Sequence, residues 1–207
     1  MPENPELIYL KKKPVYLNTD TWAGLPSWIS DNAKRAIFRS IANAITTNVL
    51  QLHAPVLVAT QLQLSLRDLL DVHTIFLRAM PHTIFLRAMP RFQGIVAQDC
   101  VKVLIDEDSD DGGTKKNVYF GKCMAFFQDC EGKQFVVLQW FTRHEENGFD
   151  KITNVPSFTL ALEGNTNSYS TLPLETILNG ALMVPGGGRY WALLSPREHM
   201  LYTKFVQ

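Results

Sequence analysis

Two adjacent apolar and aromatic segments in the second half of the chain constrain its fold more than any other feature. Val118–Phe127 and Gln134–Phe141 are both rich in β-branched and aromatic residues, and the turn sequence Asp129–Gly132 lies between them. Residues of this kind on either side of a glycine-containing turn favour paired strands. The sequence therefore predicts an antiparallel β-hairpin that is formed by these two segments.

The strand-like pattern continues through the rest of the second half. From residue 99 onward, short apolar runs alternate with turn-forming residues, which predicts about five to seven strands. That number of short strands in one domain is typical of a small barrel. We therefore expect residues 91–207 to form a partly open antiparallel β-barrel.

The first half of the chain has a helical pattern instead. Ser30 offers an N-cap, and apolar residues such as Ile37 and Ile41 then recur at helical spacing. This pattern predicts a helix from Asp31 to His53, which Pro55 would terminate. Leucines spaced across Leu62–Val72 predict a second helix. The predicted fold class is α+β. Residues 1–90 are predicted to form a helical N-terminal region with an extended arm, and the β domain follows it.

A nonapeptide is repeated without any change. His73–Pro81 has the sequence HTIFLRAMP, and His82–Pro90 has the same sequence. Functional repeats usually recur at 20–50 residues, so the pattern indicates a short duplication to which we assign no function. Because a proline closes each copy, we expect one copy to be helical and the other to be kinked or irregular.

The bulk composition limits the classes of partner. The 207 residues include 20 basic and 20 acidic ones, so the formal net charge is zero. A neutral chain has no strong long-range attraction for nucleic acid or for an anionic membrane. Three cysteines, no apolar run of about 18 residues and no signal-peptide pattern predict a soluble protein of the nucleus or cytoplasm.

No motif in the sequence indicates catalysis or metal binding. The chain lacks a nucleophile elbow, a Walker loop and a His-Glu-x-x-His pair. The glycines at 186–188 are predicted to form a turn, and the acidic stretch Asp106–Gly113 lacks the ligand spacing of a calcium loop. We therefore expect a protein that is not an enzyme, with no cofactor and no metal.

Aromatic residues on the hairpin are the best candidates for recognition. Adjacent strand residues point to opposite sides, so one of Trp140 and Phe141 should be exposed, and the same holds for Tyr119 and Phe120. If Tyr119 and Trp140 share a face, they offer two walls of a site for a cationic side chain, and Glu145 could supply a carboxylate. The alternative is that these rings only pack and that Glu145 is solvated.

Several patches together resemble the core of bromo-adjacent homology (BAH) domains, most closely the variant in the largest subunit of the origin recognition complex. They occur in the family's order and spacing, at Val103–Asp106, Tyr119–Lys122, Phe127–Asp129, Gln139–Arg143 and Leu174–Pro185. The resemblance covers residues 99–190. It implies a β-rich module of chromatin proteins, some of which bind histone tails with methylated lysines.

The resemblance also implies which residues would bind such a peptide. Tyr119 and Trp140 match two aromatic walls of the methyl-lysine readers. The further walls normally come from a tyrosine-rich segment, and here Phe158 and Tyr169 are the aromatic candidates. The implied partner is a histone tail or another basic peptide.

A second resemblance and a second function stay open. Four segments look like the C-terminal region of fungal Kyakuja–Dileera–Zisupton transposon proteins: Gln98–Val101, Gly121–Phe127, Trp140–Phe141 and Leu172–Pro185. An accessory protein of a mobile element could bind nucleic acid through the first helix, where Lys34, Arg35 and Arg39 form a modest basic surface.

Overall fold

The computed structural model describes residues 15–17, 25, 29–47, 56–59, 61–66, 82–92, 95–108, 114–129, 131–143, 155–163 and 165–194. Within these ranges the chain forms one α-helix, α1 (Asp31–Thr46), and two 3-10 turns, Thr166–Ser168 and Leu174–Thr176. The strands are β1 (Val15–Leu17), β2 (Val56–Ala59), β3 (Gln61–Leu66), β4 (His82–Phe92), β5 (Ile95–Gln98), β6 (Cys100–Asp108), β7 (Thr114–Gln128), β8 (Gln134–Arg143), β9 (Ser157–Leu160), β10 (Tyr169–Pro173), β11 (Ile177–Gly186) and β12 (Arg189–Leu193).

Six strands close into an antiparallel barrel. The order around the ring is β6, β7, β8, β9, β12 and β11, and β11 pairs back with β6. The α+β class with an antiparallel barrel is thus confirmed, but the barrel is closed where the sequence predicted a partly open one. Closure is possible because β8 is long enough to pair with two further strands. Its residues Phe135–Gln139 pair with β10, and its residues Phe141–Arg143 pair with β9 of the ring.

The predicted hairpin is confirmed. β7 and β8 pair antiparallel from Gly121 opposite Trp140 to Gln128 opposite Gln134. The turn between them is held by Asp129, whose Oδ1 accepts backbone hydrogen bonds from Glu131 at 2.9 Å and Lys133 at 2.9 Å. This local side-chain bonding is the reason that an aspartate opens the turn.

Both faces of the hairpin are buried beyond a β-bulge. The register shifts between Cys123 and Ala125, so the side chains of β7 change face at Met124. On one face lies the helix cluster: Ile29, Ala33, Ala36, Ile37, Ile41, Ala44, Val58, Met124, Ala125, Phe127, Phe135, Val137 and Tyr169. On the other lies the sheet cluster: Leu86, Ala88, Val101, Val103, Cys123, Phe126, Val136, Leu138, Leu174 and Ile177. Burial on both sides explains the continuous apolar sequence of these strands.

A third hydrophobic cluster lies inside the barrel. Phe120 and Phe158 pack with their ring centroids 5.0 Å apart. The members of this barrel cluster come from five strands of the ring, with the partly buried Cys100 added from the sixth: Phe120, Phe141, Phe158, Met183 and Ala192. A cluster to which every strand of a closed ring contributes lies in the interior of that ring.

Helix α1 begins where the sequence predicted and ends earlier. The Ser30 Oγ accepts a hydrogen bond from the Ala33 N–H at 3.1 Å, as an N-cap does. The helix ends at Thr46, with Thr47 as its C-cap, so the prediction of one continuous helix to His53 is wrong; residues 48–53 lie outside the described residues. The hydroxyls of Thr46 and Thr47 donate to the carbonyls of Ala42 and Asn43, and such bonds satisfy acceptors at the end of a helix.

The second predicted helix is wrong over its first residues, and its remainder, residues 67–72, lies outside the described residues. Gln61–Leu66 forms β3, which pairs with β4. Leu62, Leu64 and Leu66 alternate with polar residues here, and this period of two is the pattern of a strand. Upstream, β2 pairs with β7, so strands from both sides of residue 90 pair in one sheet. The predicted division into two domains at residue 90 stays a prediction.

The second copy of the nonapeptide, His82–Pro90, forms most of β4. This copy is neither helical nor irregular, so that part of the prediction is wrong; the first copy lies outside the described residues. Pro90 falls where the β4–β5 register shifts, between Met89 and Phe92. A bulge of this kind accommodates proline because the ladder needs no N–H at that position.

We predict that deletion of residues 73–81 leaves the protein folded and at least as stable. Deleting either copy gives the same chain, and the connection from β3 to β4 would shorten from 15 residues to six. The shorter connection stabilises the fold by about 0.8 kcal/mol through its lower closure entropy. Thermal unfolding monitored by circular dichroism checks this, and a melting temperature below that of the wild type would contradict it.

Candidate functional site

The structure brings Tyr119 and Trp140 together. Their ring centroids are 6.0 Å apart and the ring planes form an angle of 65°, an edge-to-face arrangement. Both side chains are half-buried, while their neighbours Phe120 and Phe141 are buried in the barrel cluster. The side chains alternate between the two faces as predicted, but Tyr119 and Trp140 are half-buried against the sheet cluster, where the prediction had one residue of each adjacent pair exposed. We call these two rings the aromatic pair.

The backbone around Gly121 determines how closely the strands approach beside the aromatic pair. Gly121 lies opposite Trp140 in the hairpin. A Cβ atom at this glycine would lie 3.0 Å from both the Cβ and the Cδ1 of Leu138, closer than packed carbon atoms normally come. The missing side chain therefore lets β7 and β8 pair without displacing Leu138.

A hydrogen bond to a third strand holds the indole of Trp140. The Trp140 Nε1–H donates to the Oγ of Ser170 on β10 at 2.8 Å. This bond satisfies the polar atom of a half-buried indole and limits rotation of its ring. Sequence reasoning missed Ser170, because only the pairing of β10 with β8 places it beside Trp140.

The other predicted peptide-binding residues do not join the aromatic pair. Phe158 is 2% exposed and belongs to the barrel cluster, and Tyr169 is 3% exposed and belongs to the helix cluster. Both rings are part of the core. Glu145 lies outside the described residues. Of the four predicted aromatic residues, the structure brings Tyr119 and Trp140 into ring contact and places the other two in the core.

The predicted nucleic-acid-binding residues lie on α1. Lys34 pairs with Asp31 at 3.2 Å, and the Arg35 Nη2 donates to Asn32 Oδ1 at 2.9 Å. Arg35 and Arg39 are exposed and one helical turn apart, so they share a face. Lys34 is less exposed, and its charge is compensated by Asp31.

A row of polar side chains crosses four strands near the aromatic pair. Cys100 lies opposite Lys122, Lys122 opposite Gln139, and Gln139 opposite Tyr169. Desolvation by burial lowers the pKa of Lys122 and raises the pKa of Cys100 to about 12. Burial also raises the pKa of Cys123. A thiol with a raised pKa stays protonated at neutral pH, so neither cysteine is an activated nucleophile.

Neither a metal cluster nor a membrane-spanning helix occurs in the described part of the chain. No group of three histidine, cysteine, aspartate or glutamate side chains comes together there as a set of metal ligands. No helix in that part is both long enough and apolar enough to span a bilayer.

Comparison with known proteins found nothing similar. No family model, no curated protein and no solved structure matches the chain. Functional conclusions about this protein therefore depend on its own geometry and on the two resemblances that its motifs carry.

We predict that Gly121→Ala destabilises the protein and that Gly180→Ala does not. The added methyl group at position 121 would collide with Leu138, which should cost about 1–3 kcal/mol. Gly180 is the matched control, since a Cβ there meets no atom within 4 Å. Urea unfolding of the two variants gives both values, and equal effects would show that the packing at Gly121 is not limiting.

We also predict that Tyr169→Phe keeps or increases stability at neutral pH. The Tyr169 hydroxyl is buried and makes no hydrogen bond within the described residues, so removing it removes a desolvation cost. Burial, with a smaller effect from Glu163, raises the pKa of Tyr169 from 10.0 to about 12.

The same substitution should change the dependence of stability on pH. Because the folded state binds the phenol proton more tightly, this contribution is complete below pH 10 and is lost as the pH rises towards 12. The free energy of unfolding should therefore fall less steeply in Tyr169→Phe over this range than in the wild type. Identical slopes would show that Tyr169 titrates normally.

Proposed function

We propose that this protein is a non-enzymatic binding module, BAH-like in fold, that recognises a cationic side chain of a peptide through the aromatic pair. The observation that supports this proposal is the geometry of Tyr119 and Trp140, two half-buried rings in edge-to-face contact on one face of the hairpin. The indole N–H is already bonded to Ser170, and both rings are half-buried against the sheet cluster, so a ligand would contact the part of their surface that stays exposed.

The site that we propose has two aromatic walls. A cation over an aromatic ring contributes about 0.5–1 kcal/mol at an exposed site and about 2 kcal/mol where water is excluded. Because Phe158 and Tyr169 are used by the core, the ligand would contact Tyr119 and Trp140, and Glu145 is our candidate for a carboxylate partner. We therefore expect weak binding with limited discrimination between methylation states.

The resemblances suggest the class of peptide. BAH domains are modules of chromatin proteins, so a histone tail in the nucleus is the ligand that we propose. The likeness to transposon proteins favours a mobile-element origin of the chain. Both statements are proposals that follow from the motifs at residues 99–190.

Nucleic-acid binding is the second candidate function. It is favoured by the exposed Arg35 and Arg39, which share the outer face of α1 while the opposite face packs in the helix cluster. Two arginines provide few phosphate contacts, and the chain is neutral overall. Such binding would be weak and sensitive to salt.

Peptide titration of matched variants tests the proposal. Histone-tail peptides with unmodified and trimethylated lysine are titrated against the wild type, Trp140→Ala, Ser170→Ala and Leu193→Ala. We expect Trp140→Ala to weaken binding about tenfold, which is the loss of one cation–π contact. Ser170→Ala should weaken it less, because the ring stays in place without its hydrogen bond. Leu193 is exposed on β12 and is the control that should leave affinity unchanged.

A short DNA duplex separates the two candidate functions. Salt-sensitive binding of DNA that is lost in Arg35→Gln with Arg39→Gln, and unchanged in Trp140→Ala, supports the second candidate. Peptide binding that does not depend on Trp140, or no peptide binding by the folded wild type, would disprove the aromatic site.

A further inference from the structure

Strand β4 occupies a defined slot on the outside of the barrel. It pairs with β3 on one side and β5 on the other, and its Leu86 and Ala88 are buried in the sheet cluster. The Arg87 N–H donates to Asp99 Oδ2 at 2.8 Å, and the Asp99 N–H donates to the Arg87 carbonyl at 2.8 Å. These bonds connect the strand to the residue that precedes β6.

Almost all contacts in this slot come from the duplicated sequence. All six residues of β4 that face β3, from His82 to Arg87, lie within the second copy. Of the three residues that pair with β5, Ala88 and Met89 also lie within it, and Phe92 alone lies beyond it. These contacts therefore depend on the sequence of the nonapeptide and not on which copy supplies it.

We propose that the first copy, His73–Pro81, exchanges with the second copy for this slot within one molecule. In the exchanged arrangement each residue is replaced by the one nine positions earlier. Leu77 takes the place of Leu86, Arg78 the place of Arg87, and Ala79 the place of Ala88. The buried side chains and the partner of Asp99 are then chemically the same, so the two arrangements differ only at the ends of the strand.

Those ends determine which arrangement dominates. The observed one has a connection of 15 residues before β4 and of two residues after it, whereas the exchanged one would have six and 11. Closure entropy then favours the observed arrangement about threefold. The pair of Phe92 with Ile95, which would become a pair of Thr83 with Ile95, adds a factor of up to about five. We expect on the order of one molecule in ten in the exchanged arrangement.

Charged substitutions at the equivalent leucines test the exchange. Leu86→Asp prevents the second copy from filling the slot, and Leu77→Asp prevents the first. We expect Leu77→Asp to leave the unfolding equilibrium constant within about twofold of the wild type. Leu86→Asp should raise it only about tenfold, because the first copy takes over. The double variant should raise it by a hundredfold or more, since a charge must then be buried in the slot.

A chain without residues 73–81 is the matched reference. Leu86→Asp in that chain has no second copy to replace it, and it should be as damaging as the double substitution in the full chain. If Leu86→Asp in the full chain is equally damaging, the copies do not exchange. If the double variant changes the equilibrium constant less than tenfold, the slot does not require the strand, and the proposal also fails.

Oligomeric state distinguishes exchange within one molecule from exchange between molecules. The Leu86→Asp variant should elute as a monomer, and its melting temperature should not depend on protein concentration. A dimer whose melting temperature rises with concentration would show that the copy is supplied by a second molecule, and it would overturn exchange within one chain.

Discussion

The fold depends on a hairpin that is buried on both of its faces. Beyond the bulge at Met124, β7 and β8 contact helix α1 on one side and the sheet cluster on the other. The same two strands also pair with β2, β6, β9 and β10. A change in the register of this hairpin would therefore exchange side chains between two cores at once, which makes any other register costly.

The aromatic pair is a consequence of that constraint. Tyr119 and Trp140 lie at the end of the hairpin before the bulge, where the alternation of faces is still regular and one ring of each adjacent pair stays half-buried. Ser170 then joins a third strand to the indole. The site that we propose is thus built on paired strands, which hold side chains in place better than a loop does. A site with two aromatic walls would depend on this rigidity, because it would have few contacts with which to offset the ordering of a ligand.

The three-stranded sheet of β3, β4 and β5 is connected to the barrel by polar as well as apolar contacts. Asp99 accepts the Arg87 N–H and lies 3.8 Å from the Arg87 guanidinium. Desolvation by burial outweighs the hydrogen bond and the charge of Arg87, so the pKa of Asp99 is raised. The connection thus combines a pair of hydrogen bonds from backbone N–H groups with an ion pair.

The sequence by itself determined those features that depend on neighbours in the chain. The β7–β8 hairpin, its Asp129 turn, the N-cap at Ser30 and the side-to-side alternation of Tyr119 with Phe120 all follow from local spacing and local hydrogen bonds. The strand β3 was mispredicted because apolar spacing at Leu62 and Leu66 fits a helix as well as a strand over so few residues. The end of α1 was mispredicted because Pro55 marks only the last residue that a helix could reach, and α1 ends before it.

Only the tertiary structure decided which aromatic residues could form a site. Phe158 and Tyr169 were the sequence candidates for further aromatic walls. Strand pairing instead buries Phe158 inside the barrel and Tyr169 under α1. The bond from Trp140 to Ser170 joins residues 30 positions apart and exists only because β10 pairs with β8. Closure of the barrel was likewise decided by strand lengths and non-local pairs. Local spacing does not encode such pairs, since their free energy depends on contacts that form when distant segments meet.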